Sequence, residues 1–263
     1  MFRFFRTIRR KLFSEGKAAS YTGYAIGEVV LIVVGILIAL KISNWNEGRA
    51  DLIREQEHLR GLKTDFLATE ARLQREIKFT AEQLRHVRAF IQLLQGEPGS
   101  VPSDQLAGMV RKSFFAGKFK PILATYTDIV NSGDLSLLRS EELRSKLAVF
   151  DAYWLKVETT LDYAVQQWSS QVTPYYIKHF NVTDMYGAHA TVRMEDVDMV
   201  LPGYEMGPPI ERIQPNEDAF WSREFLNLLA IRALSLGDTL QDLQPAITQT
   251  QGILTLIDES LDD

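Results

Sequence analysis

The chain has 263 residues, no cysteine and a formal net charge of −5. Its hydrophobic share of 46% and mean hydropathy of −0.10 are typical of soluble domains, which excludes a protein that crosses a membrane many times. Without cysteine no disulfide framework is possible. The fold therefore depends on a packed core, and a chain of this length can bury one.

The first 20 residues form a basic segment, with six Arg and Lys residues and one Glu. Apolar and aromatic residues alternate with these cations at helical spacing, which predicts a short amphipathic helix at a membrane surface. The residues expected to contact anionic head groups are Arg3, Arg6, Arg9, Arg10 and Lys11. Nucleic-acid-binding segments have a similar composition, but the apolar span that follows favours a lipid bilayer, and we expect no nucleic-acid partner.

Residues 21–42, YTGYAIGEVVLIVVGILIALKI, predict one transmembrane helix. About 20 apolar residues at roughly 1.5 Å each match a hydrocarbon core of about 30 Å. Tyr24 and Trp45 bracket the span at a separation of about 31 Å, as expected for aromatic residues at the two interfaces. Because basic residues beside a span stay in the cytoplasm, we expect the N-terminus inside and residues 43–263 outside. In a Gram-negative bacterium this is an inner-membrane protein with its C-terminal domain in the periplasm.

A cleaved signal peptide is the alternative interpretation of this N-terminus. The apolar stretch is longer than the roughly 7 to 15 residues usual in such peptides, and no small-x-small cleavage site precedes a polar start. The aromatic residues at both ends also favour a retained span. We therefore predict a signal anchor that stays on the mature protein.

Small residues recur in the span at four-residue steps, with Leu31 at the one missing step. They are Gly23, Gly27, Gly35 and Ala39. Such a face lets another helix approach closely, so it predicts a homo-oligomer. The alternative is that Gly and Ala are simply common in membrane helices.

Glu28 is an acidic residue within the same span. No basic residue lies three or four positions from it, so its partner is a lipid head group, water, the Tyr24 hydroxyl or another subunit. An oligomer that closes on Gly35, seven residues further on, gathers several such carboxylates and predicts an ion or proton site. The alternative is a carboxylate that reaches the interface and only sets the depth of the helix.

Residues 4–47, FFRTIRRKLFSEGKAASYTGYAIGEVVLIVVGILIALKISNWNE, resemble a family of uncharacterised bacterial membrane proteins with a domain of unknown function. That family has an IGEIxLVxxGILIALxINxWNE-like signature, in which relatives commonly have Gln and Asn at the positions of Lys41 and Ser43. Residues 125–147 resemble it more loosely. The resemblance implies one span and a helical extracytoplasmic domain, places Glu28, Asn44 and Asn46 in the motif, and implies no activity.

The helical pattern continues beyond Trp45 and predicts a stalk helix over residues 43–95, with a heptad-like, coiled-coil character and possible continuity with the span. Its apolar series is Leu59, Leu62, Phe66, Leu73, Ile77, Leu84, Val87, Ile91 and Leu94. The breaker cluster GEPGSVP ends it. Residues 96–139 predict a helical insertion, in which Ser103 caps one short helix and Pro121 opens another that ends near 132–134.

Residues 140–263 predict the remainder of an up-down helical bundle, interrupted by an irregular loop or short strand over 180–215. Ser140 is expected to cap a helix to about Tyr175, and Asn216 to cap the last helix, which Pro245 interrupts. The apolar series of the last helix is Phe225, Leu229, Leu236, Leu240, Leu243, Ile247, Leu254, Ile257 and Leu261. The predicted fold class is all-α.

Motifs for catalysis and for metal binding are weak. Residues 14–17, SEGK, fit the S-x-x-K pattern of acylating enzymes but lie in a tail with no scaffold, and no phosphate-binding loop or H-E-x-x-H motif occurs. We expect no enzyme, no cofactor and no metal. Four methionines in the 180–215 segment favour loop packing or partner contact over copper binding because their spacing is not tight: Met185, Met194, Met199 and Met206.

Two classes of function fit these features. The first, which we favour, is a membrane-anchored extracytoplasmic interaction or scaffold protein that self-associates through its transmembrane helix. The alternative is an oligomeric ion- or proton-conducting or gating subunit that uses Glu28, but one carboxylate near an interface does not line a pore. About 20 cytoplasmic residues hold no output domain, so signalling would need a separate membrane or periplasmic protein partner.

Overall fold

The computed structural model describes residues 18–114, 117–180, 191–194, 197–200 and 216–262. It describes the backbone alone for residues 18–27, 191–194 and 197–200 and for positions 103, 104, 107, 111 and 217. The predictions on the basic segment, on the S-x-x-K pattern and on Met185 and Met206 fall outside the described residues. The described chain is almost entirely helical and begins with a long apolar helix. It divides into two units, Met1–Glu57 and His58–Asp263.

Helix α1 spans Ala18–Leu93 and so includes the predicted transmembrane and stalk segments. It ends two residues before the predicted end at Gln95, where the sequence changes to Gly96, Pro98 and Gly99. Gly99 has a φ of +78°, a conformation that side chains rarely adopt, so the chain turns there. In the second unit the inward positions of α1 are apolar and buried, whereas the outward positions are charged.

Helix α2 spans Ser103–Ser113 and helix α3 spans Ala124–Ser132. The cap prediction for Ser103 is wrong, because Pro102 occupies the N-cap in extended backbone and gives no side-chain hydrogen bond. Pro121 does not open α3 either, since residues 117–123 are non-helical and side chains of α1 bind their backbone. The predicted end of α3 is confirmed: Gly133, at φ +80°, donates its N–H to the last carbonyls, and a 3₁₀ turn follows over Asp134–Leu137.

Helix α4 spans Glu141–Gln167 and begins as predicted. Ser140 Oγ accepts the Leu143 N–H at 3.2 Å, and two glutamates lie in the first turn, where the helix dipole favours anions. The helical path does not stop near Tyr175. It continues through one π-helical stretch, Trp168–Val172, into α5, Thr173–His179.

A two-stranded antiparallel hairpin lies in the 180–215 segment, with β1 over Thr191–Met194 and β2 over Val197–Val200. Thr191 pairs with Val200, and Met194 with Val197. The short-strand alternative for this segment is therefore confirmed, and the other regular elements of the described residues are all helices.

Helix α6 spans Arg223–Asp262 and contains Pro245. Asn216 does not cap it, because a 3₁₀ helix, Glu217–Trp221, comes between them. Ser222 caps α6 instead: its Oγ accepts the Phe225 N–H at 3.1 Å.

The second unit has two separate apolar cores, each built by the same three long helical stretches. The first core cluster comprises buried apolar residues from three ranges, 59–73 of α1, 143–161 of α4 and 243–257 of α6, together with Tyr126, Ile129 and Leu138. The second core cluster comprises buried apolar residues from the ranges 84–94, 172–180 and 219–236, together with Leu106, Val110 and Phe114. Since α4 runs from the first cluster to the second and α6 runs back, the two helices are antiparallel.

Candidate functional site

In the first unit, residues 29–42 form an apolar helix surface that no described residue of that unit covers. Large side chains from Val29 to Ile42 are exposed, with Leu31 at 73%, and so is Trp45. Among the described residues there is one helix long and apolar enough to cross a membrane, and its apolar window is 0% buried. Such a helix near an N-terminus is typical of a membrane anchor and of a signal sequence alike.

The predicted association residues lie in this helix. Ala39 is exposed, and a Cβ added to Gly35 would meet nothing within 4 Å. Gly23 and Gly27 lie in the helical backbone, outside the residues whose surroundings are described. The small-residue face is therefore open at its described positions, Gly35 and Ala39.

The polar residues of the first unit make local contacts. Glu28 is exposed. Near the end of the apolar stretch, Ser43 Oγ donates to Glu47 Oε1 at 3.2 Å, and further on Arg54 pairs with Asp51. Exposed pairs at three or four residues stabilise a helix by only about 0.2–0.5 kcal/mol each.

The second unit has a polar row on α1 that holds an extended segment, residues 117–123, which we name the strap. Thr69 Oγ1 accepts the Ile122 N–H at 2.8 Å and donates to the Ile122 carbonyl at 3.3 Å. Arg72 Nη1 donates to the Lys120 carbonyl at 3.0 Å. Because these residues lie three apart on the helix, they face the same side and bind the backbone of the strap along its length.

The opposite side of the strap contacts α4. Phe119 packs edge-on against Trp154, with ring centroids 5.3 Å apart. Lys120 pairs with Glu158 at 2.8 Å, and the hydrogen bond and negative charge of that carboxylate raise the pKa of Lys120. Lys118 pairs with Asp162. The strap therefore lies between α1 and α4. Side chains of α1 bind its backbone, and α4 contacts it through two ion pairs and one aromatic contact.

Gly61 sets how closely α3 approaches α1. A Cβ built on it would lie 2.8 Å from Thr125 Cγ2 and 2.9 Å from Thr125 Oγ1, closer than real Cβ contacts. Four residues along α1, Asp65 Oδ2 accepts the Thr125 N–H at 2.7 Å. Gly61 therefore makes room for the start of α3, and Asp65 binds it there.

A buried cation joins three helices at the second core cluster. Arg232 of α6 is 5% exposed, its Nε donates to the Ser113 carbonyl at 3.2 Å, and its Nη2 donates to Gln83 Oε1 at 3.0 Å. Gln83 in turn donates to the Lys112 carbonyl at 3.2 Å. Burial lowers the pKa of Arg232 to about 10, which still leaves it charged at neutral pH.

A buried carboxylate joins α4 and α6. Asp242 accepts from Lys156 Nζ at 2.7 Å and from Thr160 Oγ1 at 2.7 Å. Tyr153 donates its hydroxyl to the Asp242 carbonyl at 3.0 Å, three residues before Pro245. Because proline lacks an N–H, the Gln241 carbonyl, four residues before Pro245, has no helical donor, and Tyr153 bonds the carbonyl next to it.

Sequence reasoning missed the buried polar residues, although gaps in the apolar series of α1 and α6 mark four of them. Each series advances in steps of three or four but skips seven at Phe66–Leu73 and Ile77–Leu84 in α1, and at Leu229–Leu236 and Ile247–Leu254 in α6. A buried polar side chain stands inside every gap: Thr69, Thr80, Arg232 and Thr250. A skipped step in a helical series therefore indicates a buried polar contact in this chain.

No group of three or more His, Asp and Glu residues in the described part of the chain has the arrangement of a metal site. The chain matches no curated protein and no solved structure. The family match extends from Glu28 to Val200, about two thirds of the chain, and includes the second half of residues 4–47. With more than half of its residues matched, the protein belongs to the family described as Family of unknown function (DUF6090).

Proposed function

We propose that the protein is a membrane-anchored helical interaction or scaffold protein. One observation carries the proposal: a single helix, Ala18–Leu93, bears an exposed apolar stretch in one unit and contributes buried residues to both cores of the other. Exposed apolar area of this length is costly in water and stabilising in a bilayer, whereas the second unit has the buried core of a water-soluble domain.

The orientation that we propose has residues 1–20 in the cytoplasm and residues 43–263 in the periplasm. The basic segment before the span supports it. In a bacterial host, a reporter that is active only in the periplasm should work when fused after Asp263, and mass spectrometry of the membrane fraction should find the N-terminus intact. Cleavage near Trp45, or a C-terminus in the cytoplasm, would contradict the anchor.

Self-association through the small-residue face is the second part of this proposal. The openness of Gly35 and the exposure of Ala39 support it. Replacing Gly27 and Gly35 by Leu should shift the detergent-solubilised protein to smaller species in native mass spectrometry. Gly48→Leu is the matched control, since Gly48 lies in the same helix beyond the apolar stretch and also has nothing within 4 Å. An unchanged mass would show that this face does not drive assembly.

The alternative is a gating or ion-conducting subunit, which Glu28 favours because it is a carboxylate in an apolar helix. Glu28→Gln should then change ion or proton flux in proteoliposomes while the oligomer persists. Glu47→Gln, on an exposed carboxylate past Trp45, is the control. Equal flux from both variants and the unmodified protein would remove this alternative.

A further inference from the structure

The two core clusters of the second unit are separated along every long helix that builds them. In α1 the interval lies between Ile77 and Leu84. In the chain from α4 to α5 it lies between Leu161 and Val172, with Trp168 packed at the edge of the second cluster. In α6 it lies between Leu236 and Leu243, and Leu240 between them is partly buried against the second cluster.

Buried polar side chains occupy or border these intervals, and we name them the polar layer. They are Thr80 and Gln83 of α1, Gln167 of α4, and Ser235, Thr239 and Asp242 of α6, none more than 7% exposed. Each Å² of buried apolar surface stabilises the fold by about 25 cal/mol, and a layer of polar side chains buries much less apolar surface. The halves of the bundle are therefore joined by the least stabilising part of its interior.

In two members of the layer a polar atom has no hydrogen-bond partner among the described residues: Gln167 Nε2 and Ser235 Oγ. Helix register puts them at one level. Thr160 of α4 and Asp242 of α6 are hydrogen-bonded at 2.7 Å. Gln167 lies seven residues after Thr160, and Ser235 lies seven residues before Asp242. Because the two helices are antiparallel, both steps lead in the same direction. Seven residues are about 10.5 Å of rise and nearly two whole turns, so both residues face the same side at the same height. Each unsatisfied group costs about 1–3 kcal/mol in the folded state.

The backbone is also irregular at this level. The α-helical hydrogen bonding of α4 stops at Gln167, and the π-helical stretch Trp168–Val172 follows directly, before Pro174. In α6, Gly237 lies within the interval, and a helical glycine costs about 1 kcal/mol relative to alanine. The π-helical stretch therefore begins directly beside the polar layer, and in α6 the layer contains Gly237, with Pro245 three residues beyond Asp242.

The second half has its own internal links. Arg232 joins α6 to Gln83 of α1 and to Ser113 of α2. Tyr175 donates to the Ala219 carbonyl at 2.8 Å, and its ring stacks on Phe225 at 5.7 Å. These contacts hold the second half together without involving the first core cluster.

We propose that the polar layer is a conformational boundary, across which the second core cluster opens as one cooperative unit while the first stays folded. Such sub-global opening is expected where buried apolar contact is locally poor. It does not depend on the proposed membrane function, because all of the residues involved lie in the second unit.

Hydrogen exchange of the full chain in nanodiscs, followed by mass spectrometry at increasing denaturant, tests the boundary. Amides of 84–94, 172–180 and 225–236 should share one opening free energy, lower than that of 59–73, 143–161 and 243–257. A single free energy and a single denaturant dependence for all six segments would overturn the proposal.

A pair of variants tests the role of the layer itself. Gln167→Leu with Ser235→Ala removes both unsatisfied atoms, so exchange in the second half should slow at least about tenfold. The matched control is Gln166→Leu with Leu234→Ala, at exposed neighbours on the same helices. If the double variant fails to fold, Thr239→Val provides a smaller change and should slow the same segments. Exchange that stays equal to that of the control in the second half would overturn the role of the layer.

Discussion

Asp65 caps a helix to which it does not belong. Its Oδ2 accepts the Thr125 N–H at 2.7 Å, and Thr125 is the second residue of α3. Leu123, at the N-cap, has no side chain able to accept that bond. The cap that a local Ser or Asp usually gives therefore comes from α1, with a charge that also complements the helix dipole.

Asp65→Ala should destabilise the protein by about 1–2 kcal/mol, since it removes a charged acceptor from a helix N-terminus. Asp65→Asn should cost less because it retains the acceptor. Chemical denaturation of the full chain in detergent, followed by circular dichroism, measures the difference. Glu82→Ala, at an exposed carboxylate of α1, is the control, and an equal loss for Asp65→Ala and Glu82→Ala would show that the cap contributes nothing.

Arg232→Met should destabilise the protein by about 3 kcal/mol or more, because it removes hydrogen bonds to Gln83 and to the Ser113 carbonyl from a buried site. Arg232→Lys retains a charge but not the planar guanidinium group that donates to two acceptors in different directions. We therefore expect its loss of stability to be smaller than that of Arg232→Met. Thermal unfolding of Arg223→Met, on the exposed first turn of α6, is the comparison. A melting temperature for Arg232→Met equal to that control would contradict the role of the buried cation.

The long helices could be predicted from sequence because apolar residues at three- and four-residue steps determine which face is buried. The apolar spacing after Ser140 predicts nine inward residues, of which seven are buried, while Val165 and Trp168 are half-buried. The buried seven are Leu143, Leu147, Phe150, Trp154, Val157, Leu161 and Ala164. Gln167 was not predicted, because hydropathy assigns an amide to the surface. Its burial depends on the antiparallel register of α4 and α6, which no local pattern contains.

The strap shows the other limit of sequence reasoning. Pro121 favours the first turn of a helix, but side chains about 50 residues earlier bind the backbone at Ile122 and Lys120 and keep this segment non-helical. For α6, Asn216 is a good local cap, yet Ser222 caps the helix because the 3₁₀ turn moves its start. Local propensity was overridden in both places by contacts that only the folded chain makes.

Acid should destabilise the second unit through His86. Burial, and then the positive charge of Lys112, lower the pKa of His86 below its ordinary value of 6.5, while a backbone hydrogen bond to Met109 raises it less. The unfolded chain therefore binds a proton near pH 6.5 that the folded chain binds only at lower pH, so stability is full above pH 6.5 and falls as pH decreases below it.

His86→Gln should weaken this dependence between about pH 7.5 and pH 5, and Lys112→Gln should weaken it by less, since it removes only the second cause. Denaturant midpoints at several pH values measure the slope. The reverse ranking, or a slope unchanged by His86→Gln, would assign the acid sensitivity to other groups.

Two helical glycines should respond oppositely to alanine. Gly61→Ala puts a methyl group 2.8 Å from Thr125, where both branches of a stiff side chain are close, so rotation of that side chain does not clear the space. Gly237→Ala meets nothing within 4 Å and gains about 0.5–1 kcal/mol from helix propensity. The first substitution should therefore lower the free energy of unfolding, and the second should raise it.

A double-mutant cycle isolates the contact between Gly61 and Thr125. Thr125→Ala removes both Cγ2 and Oγ1, so Gly61→Ala should be tolerated in that background and can gain the same propensity as Gly237→Ala. The coupling free energy should exceed about 1 kcal/mol, because clashes in packed interiors cost about 1–3 kcal/mol. Additive effects would mean that α3 moves away from α1 at little cost, and Asp65→Ala should then also be nearly silent, since the same approach of the two helices brings its carboxylate to Thr125.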